Sequence, residues 1–207
     1  MLEAKHLTFS YEKKPSARKI LEDVSLCAAP GERVGILAPS GFGKTTLLKL
    51  LGGYLIPDSG CVLADGEPLP RKGHCPVQLI WQHPEKAVNP RLRMGKILAE
   101  GGEENAELER CLGIRPEWKS RFPQELSGGE LQRFCIARAL GPGTKYLLCD
   151  EISTMLDLIT QGQIWRFLLE ETQKRGIGMV ITSHSQALLD HVCTSQIRLD
   201  RTEKEVK

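Results

Sequence analysis

Short apolar runs and amphipathic stretches take turns along this chain. "RVGILA", "KYLLCD" and "GMVITSH" are nearly unbroken apolar segments. That pattern predicts strands buried on both faces, as in a parallel sheet. "LEAKHLTFSY" alternates loosely and reads as a strand. "KILEDVSLCA" reads as a second, closed by the turn signal Pro30-Gly31. "GCVLADGEPL" predicts a hairpin around Asp65-Gly66, and "VQLIWQ" and "TSQIRLD" are further short strands. Between them lie helix-periodic segments. "KTTLLKLLGG" stops at Gly52-Gly53. "SGGELQRFCIARALG" begins on Ser127 with Glu130 three residues on, as in a capping box. "LDLITQGQIWRFLLEETQKRG" is amphipathic and closed by Gly176, and "SQALLDHV" follows the next strand. Repeated strand-then-helix order predicts an α/β fold with a mostly parallel central sheet.

From Pro84 to Pro123 the pattern changes. Strand signals vanish, and the stretch is polar and helical with breaks at Pro90, Gly101-Gly102 and Pro116. This predicts a small helical lobe, about 84–123, inserted into a core made of 1–83 and 124–207. A length of 207 residues suits one such domain.

Composition narrows the picture only a little. Hydrophobic content of 41% and charged content of 26% are those of an ordinary globular chain. A formal charge of +2, with the basic residues spread out, gives no reason to expect a nucleic-acid partner. "DRTEKEVK" reads as a solvated tail. "MLEAKHLTFSYEKK" lacks an apolar signal-peptide core, and no run of about 18 apolar residues occurs. Any membrane role is therefore expected to run through a partner. The seven cysteines, Cys27, Cys61, Cys75, Cys111, Cys135, Cys149 and Cys193, show no C-x-x-C spacing. Most sit in apolar runs, which predicts buried, reduced thiols of a cytosolic protein. His191 and Cys193 are two candidate metal ligands without a second pair, so ordinary packing is expected there.

The candidate chemistry begins at "APSGFGKTTL", Ala38 to Leu47. It matches the phosphate loop G-x-x-x-x-G-K-[ST] except that Ala38 replaces the first glycine. In such a loop backbone N–H groups curl around phosphates, and the helix N-terminus adds partial positive charge. Ala38, Pro39, Ser40, Gly41, Phe42, Gly43, Lys44, Thr45 and Thr46 are thus the candidate nucleotide-binding residues. The glycines permit close approach, Lys44 reaches the phosphates and the Thr45 hydroxyl suits Mg²⁺. Ala38 adds one methyl where strand turns to loop, which is tolerable at negative φ. A second element, "KYLLCDE", delivers Asp150 and Glu151 to the C-terminal end of a buried strand, where open α/β sheets bind ligands. Asp150 would hold Mg²⁺ through water, and Glu151 would polarise an attacking water. A third, "LSGGELQR", opens a helix with Ser127, Gly128, Gly129 and Glu130 and makes a second anion-ready N-terminus. One ATP does not need two such ends from one chain. The economical reading is that this one serves the nucleotide of a second subunit.

The whole set resembles the ATP-binding subunits of ABC transporters, over essentially the full chain. "APSGFGKTT" is similar to that family's Walker A, "YLLCDE" to its Walker B and "LSGGE" to its signature. In the family's order, Tyr11 matches the aromatic that stacks on adenine, Gln82 the Q-loop glutamine and His184 the switch histidine. "STMLD", Ser153 to Asp157, matches the D-loop. The departures are Ala38 for Gly, Ile152 where Pro is usual, Met155 where a small residue is usual, and Ser183-His184-Ser185 without a following Asp. None removes a group with a direct chemical role.

The resemblance implies a P-loop NTPase core with an N-terminal antiparallel β region. It implies ATP and Mg²⁺ as ligands, with Thr45, Gln82 and Asp150 as the metal set and Glu151, His184 and Lys44 as the catalytic set. Two such chains, identical or not, would close head to tail around two ATP molecules, with Ser127 and Gly129 reaching the partner's γ-phosphate. Membrane permeases and a solute-binding protein would complete the transporter, and the ATPase would sit on the cytoplasmic face of the membrane. "WQHPEKAVNPRLRM", with Asn89-Pro90-Arg91, is similar to the peptide and nickel importer group, although the C-terminal extension common in that group is not seen. Soluble relatives in DNA repair or translation usually carry a long coiled-coil insertion or a second ATPase domain, and neither is seen here. A non-enzymatic regulator would not be expected to keep Lys44, Asp150 and Glu151.

Overall fold

The computed structural model describes residues 1–14, 17–39, 41–102, 105–154 and 156–199. Ser40, Met155 and the tail "DRTEKEVK" lie outside the described residues. In chain order the strands are β1 (Leu2–Phe9), β2 (Leu21–Ala28), β3 (Arg33–Leu37), β4 (Ser59–Ala64), β5 (Glu67–Pro68), β6 (Val77–Ile80), β7 (Tyr146–Asp150), β8 (Gly178–Thr182) and β9 (Ser195–Arg198). The helices are α1 (Lys44–Leu51), α2 (Met94–Ala99), α3 (Ala106–Cys111), α4 (Gly128–Ala139), α5 (Leu158–Arg175) and α6 (Gln186–Val192).

The strands form two sheets. One is antiparallel, in the order β2-β1-β4-β5; the other has five strands in the order β6-β7-β8-β3-β9. Every neighbouring pair in the second sheet is parallel. The expected hairpin is the β4–β5 turn, where Asp65 and Gly66 both take positive φ, 54° and 84°. Positive φ at both central residues is what a tight two-residue hairpin turn demands.

The apolar runs read as doubly buried strands are doubly buried. Along β7, Tyr146 and Leu148 join one core with Leu47, Leu48 and Leu51 of α1 and with Leu2 and Leu7 of β1. Leu147 and Cys149 point the other way, to Phe134 of α4, Trp165 and Leu168 of α5 and Leu189 of α6. The central sheet is thus covered on both sides, and each such buried side chain contributes roughly 1.5–3 kcal/mol. Between β6 and α4 the described residues hold only helices and 3₁₀ turns, as the composition shift predicts. Met94, Ile97, Leu108 and Trp118 of this insert join the second core.

The cysteine expectation needs correction. All seven are free, but only Cys135 and Cys149 are buried, while Cys27, Cys61 and Cys111 are exposed. Cys27 pairs with Glu3 and Cys61 with Lys5 on the outward face of the antiparallel sheet. A run that is apolar in composition still turns alternate residues to solvent when only one face of its sheet is covered. His191 is exposed, and the described residues contain no cluster of three or more side chains able to hold a metal ion. No helix among them is long and apolar enough to cross a membrane.

Candidate functional site

The site forms where β3, β6, β7 and β8 end, at the C-terminal edge of the parallel sheet. Past β3 the chain passes through Ala38 and Pro39 and enters α1 on Gly43, whose φ is 89°. Gly41, at φ 79°, is also left-handed. At Gly43 a Cβ would lie 3.0 Å from both Ile20 Cγ2 and Leu21 Cδ2, so a side chain there would crowd both as well as strain the backbone. The Lys44 ammonium folds back over this loop and donates to the Ala38 carbonyl at 2.9 Å and the Pro39 carbonyl at 3.3 Å. Ala38 is not among the described non-glycine residues with positive φ, so its methyl meets no backbone strain.

A cleft of about 440 Å³ opens above the loop, lined by Tyr11, Ile20, Gly41, Gly43, Lys44, Thr45, Thr46, Gln82, Glu151 and His184. Nine of these ten lining residues were picked out beforehand, and Tyr11, the phosphate loop, Gln82, Glu151 and His184, far apart in sequence, therefore meet in one place. Tyr11 stands half-exposed beyond the end of β1 and its hydroxyl pairs with Thr46 Oγ1 at 3.1 Å. Ala38, Pro39, Phe42 and Asp150 are not on the cleft wall. Ile20 is, and no feature of its sequence neighbourhood pointed to it.

Glu151 is the most constrained group. It directly follows β7, takes φ 49° and is buried at 8% exposure. A left-handed glutamate is uncommon and strained. Its conformation is held by Glu151 N–H donating to the Thr182 carbonyl at 3.2 Å and by Thr154 N–H donating to the Glu151 carbonyl at 3.2 Å. Its two carboxylate oxygens face different partners. Gln82 Nε2 donates to Oε2 at 3.0 Å, and His184 Nε2 lies 2.8 Å from Oε1. Gln82 sits two residues past the end of β6, and His184 two past β8, so the loops after the two strands that flank β7 aim both at one acid.

Asp150 lies at the last position of β7, at 3% exposure, and its Oδ1 accepts from Thr182 Oγ1 at 2.9 Å. Thr182 ends β8 beside it in register. Sequence reasoning missed Thr182, although a hydroxyl at the end of the neighbouring parallel strand is the natural donor to such a carboxylate. The Thr45 hydroxyl, the Gln82 amide oxygen and the Asp150 carboxylate are all oxygen donors, a chemistry that would fit a hard divalent cation such as Mg²⁺.

The signature residues lie in a second cleft, of about 730 Å³, which shares no lining residue with the first. Ser127 caps α4: Glu130 N–H donates to Ser127 Oγ at 3.3 Å, and Ser127 N–H donates to Glu130 Oε2 at 2.8 Å. The capping box read from "SGGE" is present. A Cβ at Gly128 would meet nothing within 4 Å, so an incoming group could approach that backbone closely. Leu156 and Asp157 line the same cleft. Asp157 caps α5 through Ile159 and Thr160, and the Thr160 backbone N–H holds its carboxyl below the usual range. Ile152, at the position where Pro is usual, is buried in the core beside β7.

Residues 21–154 match the family model described as "ABC transporter". The chain is 34% identical over 212 residues to the nickel import ATP-binding protein NikE of Rhodospirillum rubrum, covering 93% of this chain and 76% of that protein. It is 34% identical over 193 residues to a probable peptide ABC transporter ATP-binding protein of Sinorhizobium fredii, covering 84% of this chain and 55% of that one. The fold superposes with a TM-score of 0.83 on an ATP-binding cassette solved as a dimer in a post-hydrolysis state with ADP and Pi. That match is 24% identical and covers 97% of this chain and 94% of the other. With the loop, the two acids and the capped signature helix arranged on this sheet, the chain belongs to the ABC transporter family, as an ATP-binding subunit whose ATP hydrolysis is coupled to transport.

Proposed function

We propose that this chain drives solute import, with a peptide or nickel as the cargo, through membrane permeases that it joins on the cytoplasmic face. The observation that carries the catalytic part is the Glu151 carboxylate held between Gln82 and His184 at the wall of the phosphate-loop cleft. The 34% identity to a nickel import ATPase and to a probable peptide transporter ATPase supports the cargo class. A solute-binding protein completes such an importer, and nothing in a net charge of +2 favours nucleic acid.

On this reading Gly41, Gly43, Lys44 and the neighbouring amides, Ser40 included, hold the phosphates of ATP, and Tyr11 stacks on its base. Thr45 and Gln82 would hold Mg²⁺, with Asp150 reaching it through water. The metal, when bound, neutralises charge between the β- and γ-phosphates. Glu151 takes a proton from the attacking water, and His184 orients that acid and reaches the γ-phosphate. The signature cleft, separate from the loop cleft, supplies Ser127 and Gly129 to the ATP of a second ATPase subunit, identical or related. Phosphoryl transfer rests on positioning and charge stabilisation, so a lone chain with half of each site turns over slowly. The helical insert, about residues 84–123, then passes closure of the dimer to the permease.

Glu151→Gln is the test. It keeps the shape of the side chain and an acceptor for Gln82 but removes the base. The variant should retain ATP and elute as a dimer in size exclusion with Mg-ATP, with no phosphate release. A variant that holds no nucleotide, or one that still hydrolyses it, would sink the assignment of Glu151.

A further inference from the structure

The signature helix grips the segment that carries Gln82. Three side chains on one face of α4 each donate to a backbone carbonyl of that segment. Gln132 Nε2 donates to the Trp81 carbonyl at 3.3 Å, Cys135 Sγ to the Pro84 carbonyl at 3.8 Å and Arg138 Nη2 to the Ala87 carbonyl at 2.7 Å. The spacing is three on both sides. On an α-helix, residues three apart share a face. The gripped segment contains a 3₁₀ turn, Pro84–Lys86. Only the Pro84 carbonyl belongs to that turn; His83 before it is extended, and the Trp81 and Ala87 carbonyls flank the turn on either side.

The first rung stands out. Gln132 is 2% exposed, and its Oε1 is buried with no partner among the described residues. A buried amide that satisfies only one end is costly, and for packing alone an apolar side chain of that length would serve better. What the amide does is hold the carbonyl immediately before Gln82, whose own amide donates to Glu151. Cys135 is also suited to its place: burial pushes its thiol up to about 11, so it keeps the proton that it donates.

We propose that Gln132 is a positioning residue for ATP hydrolysis, with Cys135 and Arg138 as its continuation: by holding the Trp81 carbonyl it sets Gln82 against Glu151 and links that acid to the helix that bears the signature. The inference rests on the reading of Glu151 as the base. Gln132 touches neither nucleotide nor water and is not itself a catalytic residue.

Gln132→Met tests it, since methionine has the same length and removes the unpaired acceptor as well as the donor. Steady-state ATPase assays with the purified chain and Mg-ATP should show kcat lowered roughly 10- to 100-fold, the scale of a misplaced reacting group, with KM for ATP held. The melting temperature should not fall. Hydrogen exchange without nucleotide should be faster at Lys86 and Ala87, whose amides bond to the carbonyls of His83 and Pro84. Arg138→Lys keeps the charge opposite Glu100 but cannot span both of its acceptors, and should give the same split between kcat and KM if Gln132→Met does not fold. Wild-type kcat and exchange rates in these variants would overturn the proposal. So would a lowered kcat that merely tracks a lowered melting temperature. A wild-type chain no more active than Lys44→Ala, at a concentration where Mg-ATP dimerises it in size exclusion, would instead refute the reading of Glu151 as the base, and the exchange rates would then still decide whether Gln132 holds the segment.

Discussion

His184 Nε2 lies 2.8 Å from Glu151 Oε1, yet the imidazole side chain is 55% exposed and the carboxylate 8%. The contact joins a mobile-capable surface group to a fixed buried one. The ring can therefore leave without unfolding anything, whereas the acid cannot.

His184→Ala should accordingly leave the melting temperature unchanged and lower kcat by roughly 10²-fold, the low end for a positioned proton-handling group. ATP affinity should change little, because Lys44 and the loop amides remain. Phosphate release with Mg-ATP, run beside a thermal melt, checks both halves. A loss of stability comparable with a core substitution would contradict the reading.

Thr182 is 1% exposed and donates to the buried Asp150. Thr182→Val keeps the shape and removes the donor. A hydrogen bond to a charged group is worth about 1.5–3 kcal/mol, so denaturant unfolding should show a loss of that order. Mg²⁺ titrations of activity should also shift to higher concentration, since the carboxylate is no longer held in one orientation.

Asp65 predicts a pH dependence remote from the site. Its carboxylate accepts from Lys145 at 2.7 Å, from the Met1 ammonium at 2.6 Å and from the Tyr146 hydroxyl at 2.6 Å. Those contacts, Lys145 foremost, hold its carboxyl far below the usual carboxylate range. A depressed folded-state value means that the contribution is present above the unfolded value, about 3.9, and is lost as pH falls toward the folded value. The side chain is 39% exposed, so solvent screening limits the effect to about 0.2–1 kcal/mol. Asp65→Asn tolerates the same positive φ. It should lower the melting temperature by roughly 1–4 °C at pH 7, and the gap should begin to narrow only below about pH 4. A gap independent of pH would show that the ion pairs contribute nothing.

Two substitutions in the phosphate loop should diverge. Ala38→Gly removes a methyl from unstrained backbone, so its cost is the added freedom of the unfolded chain, about 0.4–1 kcal/mol, with ATP affinity nearly unchanged. Gly43→Ala adds a methyl at φ 89°, with Ile20 and Leu21 both 3.0 Å away. It should cost at least the roughly 1–2 kcal/mol of a left-handed alanine and weaken ATP binding measurably by calorimetry. A large gain in affinity for Ala38→Gly would mean that the loop is strained after all.

The doubly buried strands were legible because β3, β7 and β8 lie inside a covered parallel sheet, where composition alone reports burial. β2 and β4 were legible as strands but not by face, and Cys27 and Cys61 are exposed for that reason. The loop, the acids and the signature could be read because their chemistry requires fixed residue types at short spacing. The Thr182–Asp150 bond joins positions 32 apart, and the Gln132–Trp81 contact joins positions 51 apart. Neither leaves a local pattern, since a threonine at a strand end and a glutamine in a helix are unremarkable until the topology places them.

The left-handed backbone of Glu151 sets stability against activity. Glycine at that position would relieve a strain of roughly 1–3 kcal/mol and free a buried carboxylate's place, at the loss of the acid itself. A library of this chain screened for heat resistance alone should therefore enrich dead variants at position 151, while one screened for turnover should keep glutamate there and gain its stability elsewhere.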